Sequence, residues 1–271
     1  MEMPDEVDYV SGKTRLFGIV GHPIEQVRSP EMFTAEFRRR GCDAILVPLH
    51  VLPDDFDAAL PHLLRLQNLG GLVFTIPFKV RACAFAEVMG GQGRVVGAIN
   101  ALSRGADGRW HADIFDGLGC VEAFRRRDLG FAGKRVMLIG AGGAGSAIAV
   151  AIGYECPASL RIFDVDAERA TALGQKVARA NPGLNVFAGA PTTEGIDILL
   201  NASPVGMLGD ARLPFDTSAL PRELIVFDAI VKPERTPLLA LAEDCGCTTV
   251  YGREMMRGQI SRMVDFFLSA T

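Results

Sequence analysis

The sequence predicts an α/β protein in two parts, the second of them a doubly wound parallel sheet. Three observations carry this. Short apolar, β-branched runs alternate with amphipathic runs almost from end to end. From Lys134 onward the alternation becomes regular, as a parallel sheet covered on both faces requires. The chain has 271 residues, 49% of them hydrophobic and 30 of them Gly, enough for two ordinary domains with cores and many tight turns.

Taken in order, LFGIV (16–20) reads as a strand, followed by an amphipathic helix from Glu31 to Arg40. AILVPL (44–49) precedes a helix over 54–67, and GLVFTI (71–76) precedes one over 79–89. VVGAINAL (95–102) and GRWHADI, extended to Phe115, read as paired strands joined by a Gly/Asp turn. A helix follows over 118–127. RVMLIG (135–140) is a strand and 143–153 a helix of small residues. SLRIFDV (159–165) is a strand and 167–180 a helix. Further strands are expected at 184–188, 196–200, 224–230 and 248–252, then a helix over 253–268. With no long linker, the junctions fall near 116 and 251. One domain is then 1–116 together with 251–271, and the other is 117–250.

The net charge of −4 leaves no basic surplus for nucleic acid or an anionic membrane. Arg38–Arg40 and Arg125–Arg127 close helical stretches, where cations suit the helix dipole and face solvent. No uncharged run reaches the roughly 20 residues that span a bilayer. MEMPDEVDYV has neither the basic start nor the apolar core of a signal peptide, so a cytoplasmic protein is expected. The six Cys form no C-x-x-C pair and the four His are scattered, so no metal site or disulfide framework is expected.

GAGGAG (140–145) carries the G-x-G-x-x-G spacing on Gly140, Gly142 and Gly145. Alone the motif is weak, and a Gly-rich turn would also produce it. Here it follows an apolar strand and opens a helix, the context that brings backbone amides to a pyrophosphate. This predicts a Rossmann dinucleotide-binding domain. Asp164 ends the next strand, 19 residues after Gly145. A carboxylate there accepts from ribose hydroxyls and repels a 2′-phosphate, so NAD is expected over NADP. The ordinary alternative is a turn carboxylate. Arg161 and Arg169 are close in sequence, and their directions decide how acidic this edge is.

LVFTIPFKV (72–80) ends an apolar strand on a lysine. Pro77 stops the strand, which places Lys79 in the first turn of the expected helix. A cation is disfavoured there by a few tenths of a kcal/mol or so. Lys79 also follows a strand, where open α/β sheets hold ligands. A lysine is a suitable proton acceptor for an alcohol undergoing oxidation, and a carboxylate would orient it. Asp116, ending DIFDG (113–117), is the candidate, with a helix N-cap as its alternative.

At this point the chain resembles the shikimate/quinate dehydrogenase family. GHPIEQVRSP (21–30), TIPFK (75–79), GAINA (97–101), DIFDG, GAGGAG, NASPVGM (201–207) and GREMMRGQ (252–259) occur in that family's order over nearly the whole length. The resemblance implies an N-terminal substrate domain, a Rossmann domain and an interdomain cleft. It implies Lys79 and Asp116 as the catalytic pair, with Asn100, Thr75, Gln259 and Ser29 contacting substrate. Ser29 before Pro30 is also an ordinary helix N-cap, and Gln259 an ordinary surface residue. The expected cofactor contacts are Gly140, Ala141, Gly142, Gly143, Ala144 and Asp164. Asn201, Ser203 and Pro204 follow on the loop near the nicotinamide end, with Ile230 and Gly252 closing the last two strands.

Four positions depart from the family pattern. Val27, Val73, Phe115 and Val231 stand where Ser, Asn, Thr and Tyr are usual. Each change removes a hydrogen-bonding group, and an unpaired buried group costs roughly 1–3 kcal/mol. The substrate-binding positions Val27, Val73 and Phe115 therefore imply weak activity on shikimate. They favour a cyclic hydroxy carboxylate with fewer polar groups or a different carboxylate anchor, for which Arg28 and Arg253 are candidates. The expected partners are that small molecule and NAD, with the chain a monomer or homodimer. A non-catalytic NAD-binding sensor is the alternative from another class. A folate dehydrogenase of similar layout is a third reading, disfavoured by NASPVGM and GREMMRGQ.

Overall fold

The computed structural model describes residues 10–25, 27–207 and 209–269. Gln26 of GHPIEQVRSP and all but the last residue of the N-terminal decapeptide lie outside them. The elements are β1 Arg15–Gly21, α1 Ser29–Arg39, β2 Ala44–His50, α2 Phe56–Leu63, β3 Leu69–Phe74, a 3-10 turn Arg81–Phe85, β4 Val88–Met89, α3 Gly91–Val96, β5 Ala101–Arg104 and β6 Trp110–Asp113. There follow α4 Asp116–Arg125, β7 Arg135–Ile139, α5 Gly143–Gly153, β8 Ser159–Phe163, α6 Ala167–Ala180, β9 Asn185–Ala188, β10 Ile198–Asn201, β11 Ile225–Asp228, α7 Pro237–Asp244, β12 Thr248–Tyr251 and α8 Gly252–Ser269.

The chain divides into two compact units. The first holds residues up to 89, 99–112 and those from 263, and the second holds 90–98 and 113–262. The divisions therefore fall at 112/113 and inside α8, where the sequence places them near 116 and 251. The segment 90–98 belongs to the second unit because α3 packs on α5 and α6.

In the first unit the strand order is β2-β1-β3-β5-β6-β4. β1 runs parallel to β2 and β3, and β3 is antiparallel to β5. Its core is rich in aromatic rings. Phe17 stacks on Phe37 at 4.7 Å and meets Phe267 of α8 at 4.9 Å. Phe56 of α2 stacks on Phe78 at 4.2 Å with the planes 6° apart.

In the second unit the order is β12-β11-β10-β7-β8-β9, and each neighbouring pair is parallel. β7 lies between β8 and β10, so the order reverses beside it and opens a crevice at the carboxyl ends of these strands. Val136, Met137, Leu138 and Ile139 are at most 2% exposed. Burial on both faces explains why that strand reads as an unbroken apolar run. α6 is amphipathic, burying Ala170, Leu173, Gly174 and Val177, and the Asp166 carboxylate caps it by accepting the Arg169 amide at 3.1 Å. No helix among the described residues is long and apolar enough to cross a membrane.

Three expectations are corrected. Residues 79–89 form no α-helix. They form turns, the 3-10 turn Arg81–Phe85 and then β4. Glu87 exchanges hydrogen bonds with Trp110, its amide donating to the Trp110 carbonyl and its carboxylate accepting the Trp110 amide, both at 2.8 Å. Pairing of Val88 and Met89 with β6 then overrides the local helical pattern. Residues 95–102 are not one strand either, because Gly91–Val96 is helical and Gly97, at φ +78°, ends it. The Asp113 carboxylate holds the start of that helix by accepting the Gly93 amide at 2.5 Å, and so outweighs the β-branched pair Val95–Val96. Thirdly, β3 stops at Phe74 and not at Ile76, although the Thr75 amide still donates to the Val20 carbonyl at 3.0 Å. α7 was not anticipated; its signal is Thr236-Pro237, with the Thr hydroxyl accepting the Leu239 amide at 3.2 Å.

The arginine clusters form surface ion pairs. Arg39 and Arg40 pair with Glu36, Arg126 with Glu122, and Arg127 with Glu254. Phe78, fully buried against Phe56, fixes the turn that carries the neighbouring Lys79. Phe78→Ala should lower stability by roughly 3–5 kcal/mol, read as a fall in the denaturant midpoint.

Candidate active site

The glycine loop follows β7 and opens α5. A side chain on Gly145 would meet the Gly140 carbonyl oxygen at 1.8 Å, so only glycine lets α5 approach the strand this closely. A side chain on Gly142 or Gly143 would meet nothing within 4 Å. Internal packing thus does not demand those two glycines, and open space lies before an 11-residue helix whose N-cap has no side-chain partner. Backbone amides and the positive helix end face that space, which is the cradle a pyrophosphate needs. The residues present therefore fit a dinucleotide.

Asp164 lies directly after β8, and its carboxylate accepts the Ala141 amide at 2.7 Å and the Asp166 amide at 3.0 Å. Both nearby cations are engaged elsewhere or by acids. The Arg161 guanidinium lies over the Phe187 ring at 4.7 Å. Arg169 pairs with Asp166 at 3.3 Å and Asp164 at 3.7 Å. Val165, between the two aspartates, is 95% exposed. This edge presents carboxylates and an apolar side chain.

Across the switch point, Asn201 ends β10 and Asp228 ends β11, opposite each other in register. Both are fully buried. The Asn201 side chain is committed internally. Its Oδ1 accepts the Ser203 amide at 3.0 Å and hydroxyl at 2.7 Å, and its Nδ2 donates to Asp228 at 3.2 Å. Asn201 therefore shapes the loop carrying Ser203 and exposed Pro204. Sequence reasoning missed Asp228, whose carboxyl burial pushes up to about 6. Its only sequence signal is a carboxylate closing the apolar run IVF. Gly252 lies against Ile230, where a side chain would meet the Ile230 carbonyl oxygen at 2.4 Å.

In the first unit the turn after β3 brings several expected residues together. The Phe78 amide donates to the Thr75 carbonyl at 2.9 Å, the Ile99 amide to the Lys79 carbonyl at 2.8 Å, and the Phe74 amide to the Asn100 carbonyl at 2.9 Å. These bonds fasten the Lys79 turn beside the segment of Asn100, which is 1% exposed. Lys79 lies in this turn and not in a helix, so the argument from an unfavourable helix dipole does not apply to it. Its place after a parallel strand remains. Val73 is buried in β3 between Ile19 and Ala101. Val27 and Ser29 are half-buried. Ser29 is the first residue of α1, the N-cap is Arg28, and no side chain caps the helix, so the N-cap alternative for Ser29 is not met.

In the second unit Asp116 is the first residue of α4 and is buried, while Phe115 takes the cap position. The N-cap alternative for Asp116 is likewise not met. Gln259 of α8 donates from Nε2 to Asp116 Oδ1 at 3.0 Å. That approach needs Gly119, where a side chain would meet the Met255 carbonyl oxygen at 2.6 Å and Gln259 Cβ at 2.8 Å. The candidate carboxylate anchors are both taken up by acids: Arg28 pairs with Glu31, and Arg253 pairs with Glu234 and lies over the Tyr251 ring.

The chain is similar to known proteins over most of its length. A family model described as the shikimate dehydrogenase substrate binding domain matches residues 19–102. The shikimate dehydrogenase (NADP(+)) of Rhodospirillum rubrum is 34% identical over 257 residues, 92% of this chain and 90% of that one. Among solved structures, shikimate 5-dehydrogenase from Listeria monocytogenes, in complex with shikimate and NAD, is 26% identical with a TM-score of 0.86, covering 98% of this chain and 95% of that one. The 5-ketofructose reductase of Gluconobacter sp. strain CHM43 is 25% identical with a TM-score of 0.85, covering 95% and 94%.

The open space at Gly142 is directly testable. Asp is a good N-cap, so Gly142→Asp should leave the unfolding midpoint unchanged or higher while its charge opposes a bound pyrophosphate. Titration with the reduced dinucleotide, followed by its fluorescence, should show at least about a tenfold loss of affinity, or about 1.4 kcal/mol.

Proposed function

The chain belongs to the shikimate dehydrogenase family, and we propose that it is the NAD-preferring oxidant of a ring hydroxyl on a cyclic hydroxy carboxylate. Enzymes of this family are nicotinamide-dinucleotide oxidoreductases acting on CH–OH groups. The NAD preference is supported by one observation above all: the edge after β8 places the Asp164 and Asp166 carboxylates together and leaves no arginine uncommitted to them or to Phe187. A 2′-phosphate there would meet two carboxylates and a single guanidinium already paired with both, a net negative charge.

In this reading the first unit holds the substrate and the second the cofactor. When bound, the dinucleotide supplies the hydride acceptor. As the carbinol carbon gives up its hydride, Lys79 takes the hydroxyl proton, so that the alcohol becomes a ketone with one proton released. Asp116 is the carboxylate partner in catalysis, and Gln259 holds its Oδ1 at 3.0 Å. Asn100, Thr75 and Ser29 are assigned to the substrate hydroxyls and carboxylate. Fixing the Lys79 turn by backbone hydrogen bonds keeps the proton acceptor in place without reorganisation during the reaction.

The substrate is expected to be less polar at three places than shikimate requires, because the side chains of Val27, Val73 and Phe115 carry no hydrogen-bonding group. The likeness to a 5-ketofructose reductase shows that a protein of the same fold is named for a substrate other than shikimate. Arg28 and Arg253, being paired with glutamates, are weaker candidates for a replacement anchor than their charges alone imply.

Initial rates with shikimate, quinate and related cyclic hydroxy acids test the proposal. Shikimate should be turned over poorly relative to at least one other acid of the set. On the best substrate, Lys79→Ala should lower kcat by about 10²–10⁴-fold. Near-normal turnover by that variant would contradict the assignment of Lys79.

A further inference from the structure

We propose that Asp228 is a positioning residue for the cofactor, its carboxylate tying together the two loops that follow β10 and β11 at the nicotinamide end of the sheet. The inference builds on the reading of this sheet edge as the dinucleotide site. Oδ1 accepts the Ile230 amide at 3.0 Å. Oδ2 accepts the Thr236 hydroxyl at 2.7 Å and Asn201 Nδ2 at 3.2 Å. Asn201 in turn holds Ser203 through both its amide and its hydroxyl. One carboxylate thus reaches the Ser203 loop on one side, and Ile230 and the N-cap of α7 on the other.

Three donors converge on two oxygens, and an ionised carboxylate, an acceptor at every lone pair, suits that arrangement best. Keeping that charge is unfavourable for the fold. No charged side chain contributes to the state of Asp228, and burial holds its carboxyl at about 6, above the ordinary carboxylate range. The sign follows from linkage. Between the ordinary range and pH 6 the folded chain binds more protons here than the unfolded chain, so stability falls as pH rises through that window and stays lower above it. At pH 8 the carboxylate is therefore held ionised against a desolvation cost that its three hydrogen bonds offset in part. A structural role would show in the unfolding midpoint, and a positioning role in cofactor affinity.

Asp228→Asn separates the two roles. Asparagine keeps one acceptor for the Ile230 amide and removes the buried charge. Its own NH₂ would face the Asn201 NH₂, so the link to the Ser203 loop is lost. At pH 8 the variant should unfold no lower than wild type. It should bind NADH, or NADPH if wild type prefers it, about tenfold more weakly by fluorescence titration. KM for the dinucleotide should rise more than KM for the hydroxy acid. Wild-type affinity in the variant would overturn the proposal. A loss of affinity accompanied by a lower midpoint would also overturn it, because the carboxylate would then be structural. If the variant does not fold, Asn201→Ala breaks the same link from the other end. A roughly tenfold loss of affinity there supports the proposal, and unchanged affinity overturns it. A wild-type chain binding neither dinucleotide would remove the cofactor reading itself and this inference with it, whereas tight wild-type binding with an indifferent Asp228 removes only the inference.

Discussion

The hydrogen bond from the Ala141 amide to the Asp164 carboxylate, 2.7 Å long, is the contact on which the cofactor half of the molecule depends. It fastens the glycine loop after β7 to the end of β8. That places the start of α5 and the acidic edge on one side of the switch point. With the loop so held, Gly145 packs on Gly140 and Gly142 is left facing open space. The same carboxylate and that of Asp166 both pair with Arg169, so two acids share one cation at this edge. The glycine loop and the acidic edge thus share one side chain.

On the other side of the switch point the constraint is Asp228. The two carboxylates are handled differently. Asp164 receives two backbone amides and an arginine, while Asp228 is fully buried with three neutral donors. In the first unit the Arg81 guanidinium lies over the Phe56 and Phe78 rings and pairs with Asp57. The turn with Lys79 is held by backbone hydrogen bonds to the segment of Asn100 and by the Phe78–Phe56 stack.

Much of this was legible in the sequence, and the exceptions have physical reasons. The strands and helices from Arg135 to Ala180 fall where periodicity places them, because buried parallel strands and amphipathic helices leave strong patterns. Between Lys79 and Leu102 the local pattern misleads. There Glu87 pairs with Trp110 and Asp113 caps α3, and long-range hydrogen bonds outweigh local preference. Lys79, Asp116, Gln259 and the glycine loop stand out in the sequence because they lie in motifs. The pairing of Gln259 with Asp116 needs the close helix approach at Gly119, which no spacing rule reveals. Asp228 was missed because a single strand-end aspartate looks like a turn residue until its burial and its three donors are seen. Arg28 and Arg253 looked available as anchors only while Glu31 and Glu234 were out of view.

An acidic edge after β8 should select the dinucleotide without a 2′-phosphate. Equilibrium titration of the wild-type chain with NADH and with NADPH, at the same ionic strength, measures this without any knowledge of the substrate. NADH should bind at least about tenfold more tightly, a difference of about 1.4 kcal/mol. NADPH binding as tightly as NADH, or more tightly, would contradict it.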